Sequence, residues 1–194
     1  MEMAKVGIFA LLFMLVTAAA SPAVHGVTFG PKSVDKWFEK LPQAKEKTSK
    51  LHFYFHDTVT GKNPTALQIA QSNITNKSNT FFGFLSMMDD PLTVTPDPNS
   101  EIVGRAQGMY GSASFSELGL LMTLNFVFTE GKYNGSTLSV VGRNPVFNKY
   151  REMPIVGGSG VFRLARGIAT AKTYWFNATS GNAIVEYHVV VLHY

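Results

Sequence analysis

Leu51-His-Phe-Tyr-Phe-His-Asp57 decides the fold. In an extended chain Leu51, Phe53, Phe55 and Asp57 share one face, and His52, Tyr54 and His56 take the other. The period is two, and the turn residues Thr60-Gly61-Lys62-Asn63-Pro64 follow at once. The same pattern recurs along the chain. Strands are predicted over residues 66–72, 80–88, 102–112, 119–129, 136–141, 161–170, 171–176 and 183–194. Asn134-Gly135 and Ser180-Gly181-Asn182 read as hairpin connections. Residues 89–100, rich in Pro and Asp, read as a longer loop.

No amphipathic helix interrupts this series, so about eight antiparallel strands must form a sandwich or a closed barrel. Residues 120–128 and 189–192 are apolar on both faces. That favours a barrel with one face lining the interior and the other covered by a partner subunit. With 45% hydrophobic and 15% charged residues, the chain can build such a core.

The flanks have other signatures. Lys5, the apolar run at residues 6–16 and Ala18-Ala-Ala20 have the layout of a secretory signal peptide, with cleavage after Ala20 or, later, after Ala23 or Gly26. The run is too short for a membrane anchor, and no membrane attachment is expected once it is removed. The predicted organisation is a signal peptide at 1–20, a lysine-rich arm at 21–50 with at most a short helical turn, and one domain at 51–194. Four Asn-X-Ser/Thr sequons, at Asn73, Asn76, Asn134 and Asn177, fit a secreted glycoprotein. The net charge of +4 is scattered rather than clustered, which argues against a nucleic-acid partner. The chain has no cysteine, so disulfides, thiol catalysis and thiolate–zinc sites are excluded.

Asp57 ends a strand face made of Leu51, Phe53 and Phe55, where desolvation would raise its pKa into an acid/base range. The alternative is a strand-end Asp that accepts backbone hydrogen bonds in the next turn. Alternation through residues 161–168 puts Arg166 beside Phe162, Leu164 and Ile168. Arg166 and Asp57 then make either a site pair or a structural buried ion pair. Arg105 either lines the pocket or braces the barrel. Tyr133 either offers its phenol to a ligand or faces solvent. His52 and His56 would lie about 13 Å apart along a strand, too far to share a metal, and no metal site is predicted.

Phe55-His-Asp57, Val103-Gly-Arg-Ala-Gln-Gly108, Phe128-Thr-Glu-Gly-Lys-Tyr-Asn-Gly-Ser136, Val141-Gly-Arg-Asn-Pro145, Arg151-Glu-Met-Pro-Ile-Val-Gly-Gly-Ser-Gly160 and Phe162-Arg-Leu-Ala-Arg-Gly167 occur in that order. Together they resemble the plant dirigent family over residues 51–194. The resemblance implies an eight-stranded antiparallel β-barrel of the allene oxide cyclase type with an internal pocket, usually a trimer, secreted to the apoplast and cell wall. It implies no cofactor. A separate laccase or peroxidase would make phenoxy radicals from a monolignol such as coniferyl alcohol, and the barrel would set the stereochemistry of their coupling in lignan-type biosynthesis. The alternative is an isoflavanol dehydratase, a carbon–oxygen lyase that closes the pterocarpan ring through a quinone methide. By position in the motifs, Asp57 and Arg166 would be catalytic, in proton transfer or phenol orientation, and Tyr133 would contact substrate; Arg105 and Phe55 join them as substrate-contact candidates. Pinoresinol-forming members resemble Gly-Thr-Gly-Asp-Phe where this chain has Gly158-Ser-Gly-Val161-Phe162. Val161 therefore places the chain nearer the varied subgroup that includes pterocarpan-forming members.

Overall fold

A computed structural model describes residues 29–194. The predicted signal peptide at 1–20 and residues 21–28 of the predicted arm lie outside the described residues. Helix α1 (Pro31–Lys40) opens with Pro at its first position, where a missing N–H costs nothing. It ends at Leu41-Pro42, where a short 3₁₀ turn follows. The arm is therefore more helical than its lysine content suggested. No α1 side chain is buried, although the Arg163 guanidinium lies over the Trp37 ring at 5.6 Å.

Nine strands follow: β1 (Lys47–Asp57), β2 (Ala66–Ala70), β3 (Leu85–Thr93), β4 (Ile102–Ser112), β5 (Gly119–Phe128), β6 (Thr137–Pro145), β7 (Arg151–Ser159), β8 (Arg166–Phe176) and β9 (Ala183–His193). From β3 to β9 each strand pairs antiparallel with the next. β9 pairs with β1 from Lys47↔His193 to Asp57↔Ala183. Closure comes from β1 against β3 at Tyr54↔Thr93 and Phe55↔Leu92. The result is a closed eight-stranded antiparallel barrel, with β2 added on the edge of β3. Closure leaves few unpaired edge groups, which suits a chain without disulfides.

Residues 80–84, predicted as strand, form turns before β3 starts at Leu85, and β1 begins at Lys47, inside the predicted arm. Three further segments depart from the sequence reading. The Asp89-Asp-Pro91 stretch continues β3 instead of opening a loop. Pro91 is tolerated because it lies between the β2 pairing, which stops at Met88, and the β1 pairing, which starts at Leu92. β7 was not expected at all. Its Pro154 faces outward, beyond the last β6–β7 pair at Val140↔Ile155. The third departure is at residues 160–165, where a 3₁₀ turn replaces the predicted strand, with Gly160 at φ 65° and Leu164 at φ 55°. Residues 166–176 then form one strand, not two.

Inward positions carry the core. Phe53, Phe126 and Tyr187 meet in the barrel interior, with ring centroids 4.9 Å (Phe53–Phe126) and 5.3 Å (Phe126–Tyr187) apart. Toward the end where β1 starts, Phe128 and Phe162 extend this plug. Small inward residues, Ala106 and Gly108 on β4 and Ala169 and Ala171 on β8, let the wall come close to it. A Cβ at Gly108 would stand 2.3 Å from the Thr123 carbonyl oxygen, and its φ is 158°. The plug fills one end of the barrel. The other end, where β1 finishes and β9 begins, stays open.

Candidate active site

The open end holds a cavity of about 710 Å³, within the range of small-molecule sites. Its apolar wall includes Phe55, Phe84, Leu120, Met122 and Val185; its polar groups include Asp57, Tyr110, Asn144, Arg151 and Thr173. Such a lining suits a flat aromatic ligand with a few oxygens to orient.

Asp57 is where alternation along β1 placed it, on the inward face after Phe53 and Phe55. Tyr110, inward on β4, donates its phenolic O–H to the Asp57 carboxylate, its oxygen 3.2 Å from both Oδ1 and Oδ2. Burial pushes the Asp57 carboxyl up to about 6, against the opposing effect of that hydrogen bond. The backbone-capping alternative for Asp57 is not what forms.

A second carboxyl supports the first. Asp90 is fully buried on the inward face of β3. The Thr65 hydroxyl donates to its Oδ1, while its Oδ2 is buried with no hydrogen-bond partner. Burial, followed by the nearby Asp57 charge, pushes Asp90 up to about 8. Near neutral pH this favours a neutral Asp90 beside an Asp57 that exchanges its proton, and the two carboxyls titrate as a coupled pair. Burial and the same two carboxyls raise the Tyr110 phenol well above its usual range, so it stays a donor.

Across the cavity, Arg151 is buried at the start of β7. Its Nε donates to Asn144 Oδ1 at 3.1 Å and its Nη1 to Thr173 Oγ1 at 2.8 Å. Burial lowers its pKa. All its hydrogen bonds go to neutral oxygens, which leaves its charge available to a phenolate or other anionic oxygen in the cavity.

Of the residues chosen from sequence, Asp57 and Phe55 line this cavity and the other three do not. Arg166 was expected inside, paired with Asp57. It lies on the outside of the barrel, with its Nη2 2.7 Å from Glu46 Oε1 and a side chain 60% exposed. The cause is the turn at 160–165, which buries Phe162 and Ala165 and shifts the alternation, so that Ala169 and Ala171 of β8 point inward. Arg166 also sits at the far end, opposite Leu192, whereas Asp57 is opposite Ala183. Arg105 is outside as well, paired with Asp89 on the adjacent strand, and braces the wall rather than lining the pocket. Tyr133 packs against Phe128 and Phe162 at the plugged end, away from the cavity. All four sequon asparagines are exposed.

Arg166→Ala is expected to leave product formation and stereoselectivity within about twofold of wild type and to change stability by less than about 1 kcal/mol, as for an exposed ion pair. Chiral product analysis alongside thermal melting checks this.

The comparisons with known proteins agree with this architecture. The family model for Dirigent-like protein matches residues 48–192. Dirigent protein 23 of Arabidopsis thaliana is 52% identical over 158 residues, covering 81% of this chain and 84% of the relative. Pterocarpan synthase 1 of Glycine max is 46% identical over 185 residues, covering 95% and 93%. The solved structure of a pterocarpan synthase dirigent protein superposes with a TM-score of 0.74 at 50% identity, covering 78% of this chain and 87% of that one. A closed antiparallel barrel with a pocket at one end defines the class, and the chain belongs to the dirigent family.

Proposed function

We infer that this protein binds a phenolic intermediate in the barrel and sets the stereochemistry of a bond-forming step at a quinone-methide carbon. The observation that carries this reading is the Asp57–Tyr110 pair on the wall of a largely apolar cavity, with the buried Asp90 carboxyl close enough to act on Asp57 electrostatically. A carboxyl held up to about 6 keeps its proton to higher pH than an ordinary exposed Asp does, so it can protonate a departing hydroxyl.

The favoured reaction is oxidant-free dehydration of an isoflavanol-type alcohol. Asp57 gives its proton to the benzylic hydroxyl, the C–O bond breaks, and water leaves. The phenol conjugated to that carbon gives its proton to solvent, which leaves the quinone methide, and its oxygen takes a proton back from solvent once the ring is aromatic again. Addition of a second phenolic oxygen restores the aromatic ring and closes the new one. That oxygen's proton returns to the Asp57 carboxylate, so the net change is loss of one water. Arg151 would hold whichever oxygen carries negative charge, and the cavity walls would fix the face of attack. Similarity to the two pterocarpan synthases supports this choice.

Phenoxy-radical coupling of monolignols, with radicals supplied by a laccase or peroxidase, is the second reading. It also ends in quinone methides that phenolic or alcoholic oxygens trap, and the same apolar cavity suits it. The signal-like run at residues 6–16 and the exposed sequons support a secreted glycoprotein of the apoplast. Outward apolar residues on neighbouring strands, such as Met87, Met109 and Leu121, support a homo-oligomer.

Chiral chromatography separates the two readings. Purified protein with a cis-hydroxyisoflavan-4-ol and no oxidant is expected to give one enantiomer of the cyclised product. Coniferyl alcohol with laccase is the parallel reaction. Turnover in the first tube establishes the dehydratase. Enantiomeric excess only in the second transfers the site to radical coupling.

A further inference from the structure

On the outside of the barrel, away from the cavity, β1 and β9 bring together three side chains that the proposed function does not use. His52 and His188 are direct cross-strand partners, and Glu186 lies two positions before His188 on the same face. The two imidazole rings stand 4.4 Å apart, centroid to centroid. Glu186 Oε1 is 2.9 Å from His52 Nε2 and 3.3 Å from His188 Nε2. One donor atom from each of the three lies within 4.8 Å of the others.

We propose that His52, Glu186 and His188 form a surface site for a divalent cation of the Zn²⁺ or Cu²⁺ type. Donors about 2.1 Å from a tetrahedral ion are separated by about 3.4 Å, close to the spacing of both histidines from Glu186. Two imidazoles and one carboxylate suit zinc and copper and are poor ligands for Ca²⁺ or Mg²⁺, which take oxygen. Because the histidines are direct partners in a continuous ladder, the site is preformed and needs no loop closure. Lys172 Nζ lies 3.7 Å from Glu186 Oε2, the other carboxylate oxygen, so it holds the carboxylate without occupying Oε1. Tyr54 reaches Oε1 only at 3.5 Å, a contact an ion would displace at little cost. The remaining coordination positions face solvent, since the His52 and His188 side chains are 42% and 60% exposed. Water would fill them.

His56 and His193 do not join this site. His56 is buried against Thr93, and His193 is buried against Ser49 and the Val161 carbonyl. They serve as internal controls, because a histidine-dependent signal from elsewhere on the chain would survive loss of the surface pair.

The test uses the full mature protein without an affinity tag, titrated with ZnCl₂ and with CuCl₂ by calorimetry. One ion per chain is expected, with affinity at least tenfold weaker in His52→Ala and in His188→Ala and lost in the double variant. Electron paramagnetic resonance of the Cu²⁺ form is expected to show two nitrogen ligands in the wild type. Metal should also raise the melting temperature of the wild type and not of the double variant, because an ion that binds only the folded state stabilises it by mass action. Should an alanine variant misfold, the asparagine substitution at the same position replaces it. Unchanged binding in the double variant, a Cu²⁺ spectrum without two nitrogens, or no saturation by about 1 mM metal would each overturn the site. The barrel's activity on phenols is read separately and does not enter this result.

Discussion

Asp57→Asn is expected to lower the rate of product formation by about 10²- to 10⁴-fold, the usual contribution of a positioned acid/base group. The amide keeps the volume and can still accept from Tyr110, but it cannot give a proton to a leaving hydroxyl. Because Phe55 and the apolar wall are untouched, substrate should still bind, so kcat falls far more than KM rises. The wild-type rate should also fall as pH rises past about 6, where Asp57 loses the proton it donates. A single-turnover assay on the isoflavanol, with binding followed by tryptophan or ligand fluorescence, reads both quantities. Full retention of rate would remove Asp57 from the chemistry. Retention of total product with loss of enantiomeric excess would instead assign it to orientation.

The second large effect is on stability. Asp57 rises from an ordinary 3.8 to about 6 on folding, and Asp90 from 3.8 to about 8. The folded protein therefore holds more protons than the unfolded chain across this range. Stability from these two groups is complete below about pH 4 and is lost as pH rises through the folded values. His56 acts in the opposite sense: its pKa is lowered from 6.5 by burial, so folding resists its protonation and is favoured as pH rises toward 6.5. Above pH 6.5 the His56 effect is spent, and the window to pH 8 belongs mainly to Asp90. Melting temperature should drop across that window. Asp90→Asn should flatten the drop and, at pH 8, stabilise the protein by about 2–4 kcal/mol, since each unit of pKa displacement corresponds to about 1.4 kcal/mol. Thermal melts of both proteins from pH 5 to 8.5 check this, and a wild-type melting temperature that rises from pH 6.5 to 8 would contradict it.

The accuracy of the sequence reading follows the regularity of the backbone. β1 keeps its alternation without a break, so Phe53, Phe55 and Asp57 could be placed inward from residue order alone. The hairpin from β5 to β6 was readable for the same reason, with Asn134-Gly135 at its turn. Asp90 was passed over because Asp-Asp-Pro reads as loop chemistry, and only the three-dimensional gap between the β2 and β1 pairings lets a strand carry that proline. Arg166 was misplaced because a turn inside residues 160–165 resets the count of two, and Leu164 at positive φ gives no sign of this in its side chain. Arg151 stood within a quoted motif but in a segment not read as a strand, so nothing pointed it at the cavity. Tyr110 had an available signal, as the large residue at the end of the inward series Ala106, Gly108, Tyr110 on β4.

Ser49 hydrogen-bonds His193 across 144 positions of sequence. The strand carrying Asp57 thus finds its main partner only in β9, the ninth of the described strands. Until β9 emerges, Phe53 and Phe55 have no Tyr187 or Val185 to pack on, and one edge of β1 is open to any extended chain nearby. Long loops must be closed before such contacts form, which slows folding. The protein should therefore fold slowly, with β1 exposed to non-native pairing until β9 arrives.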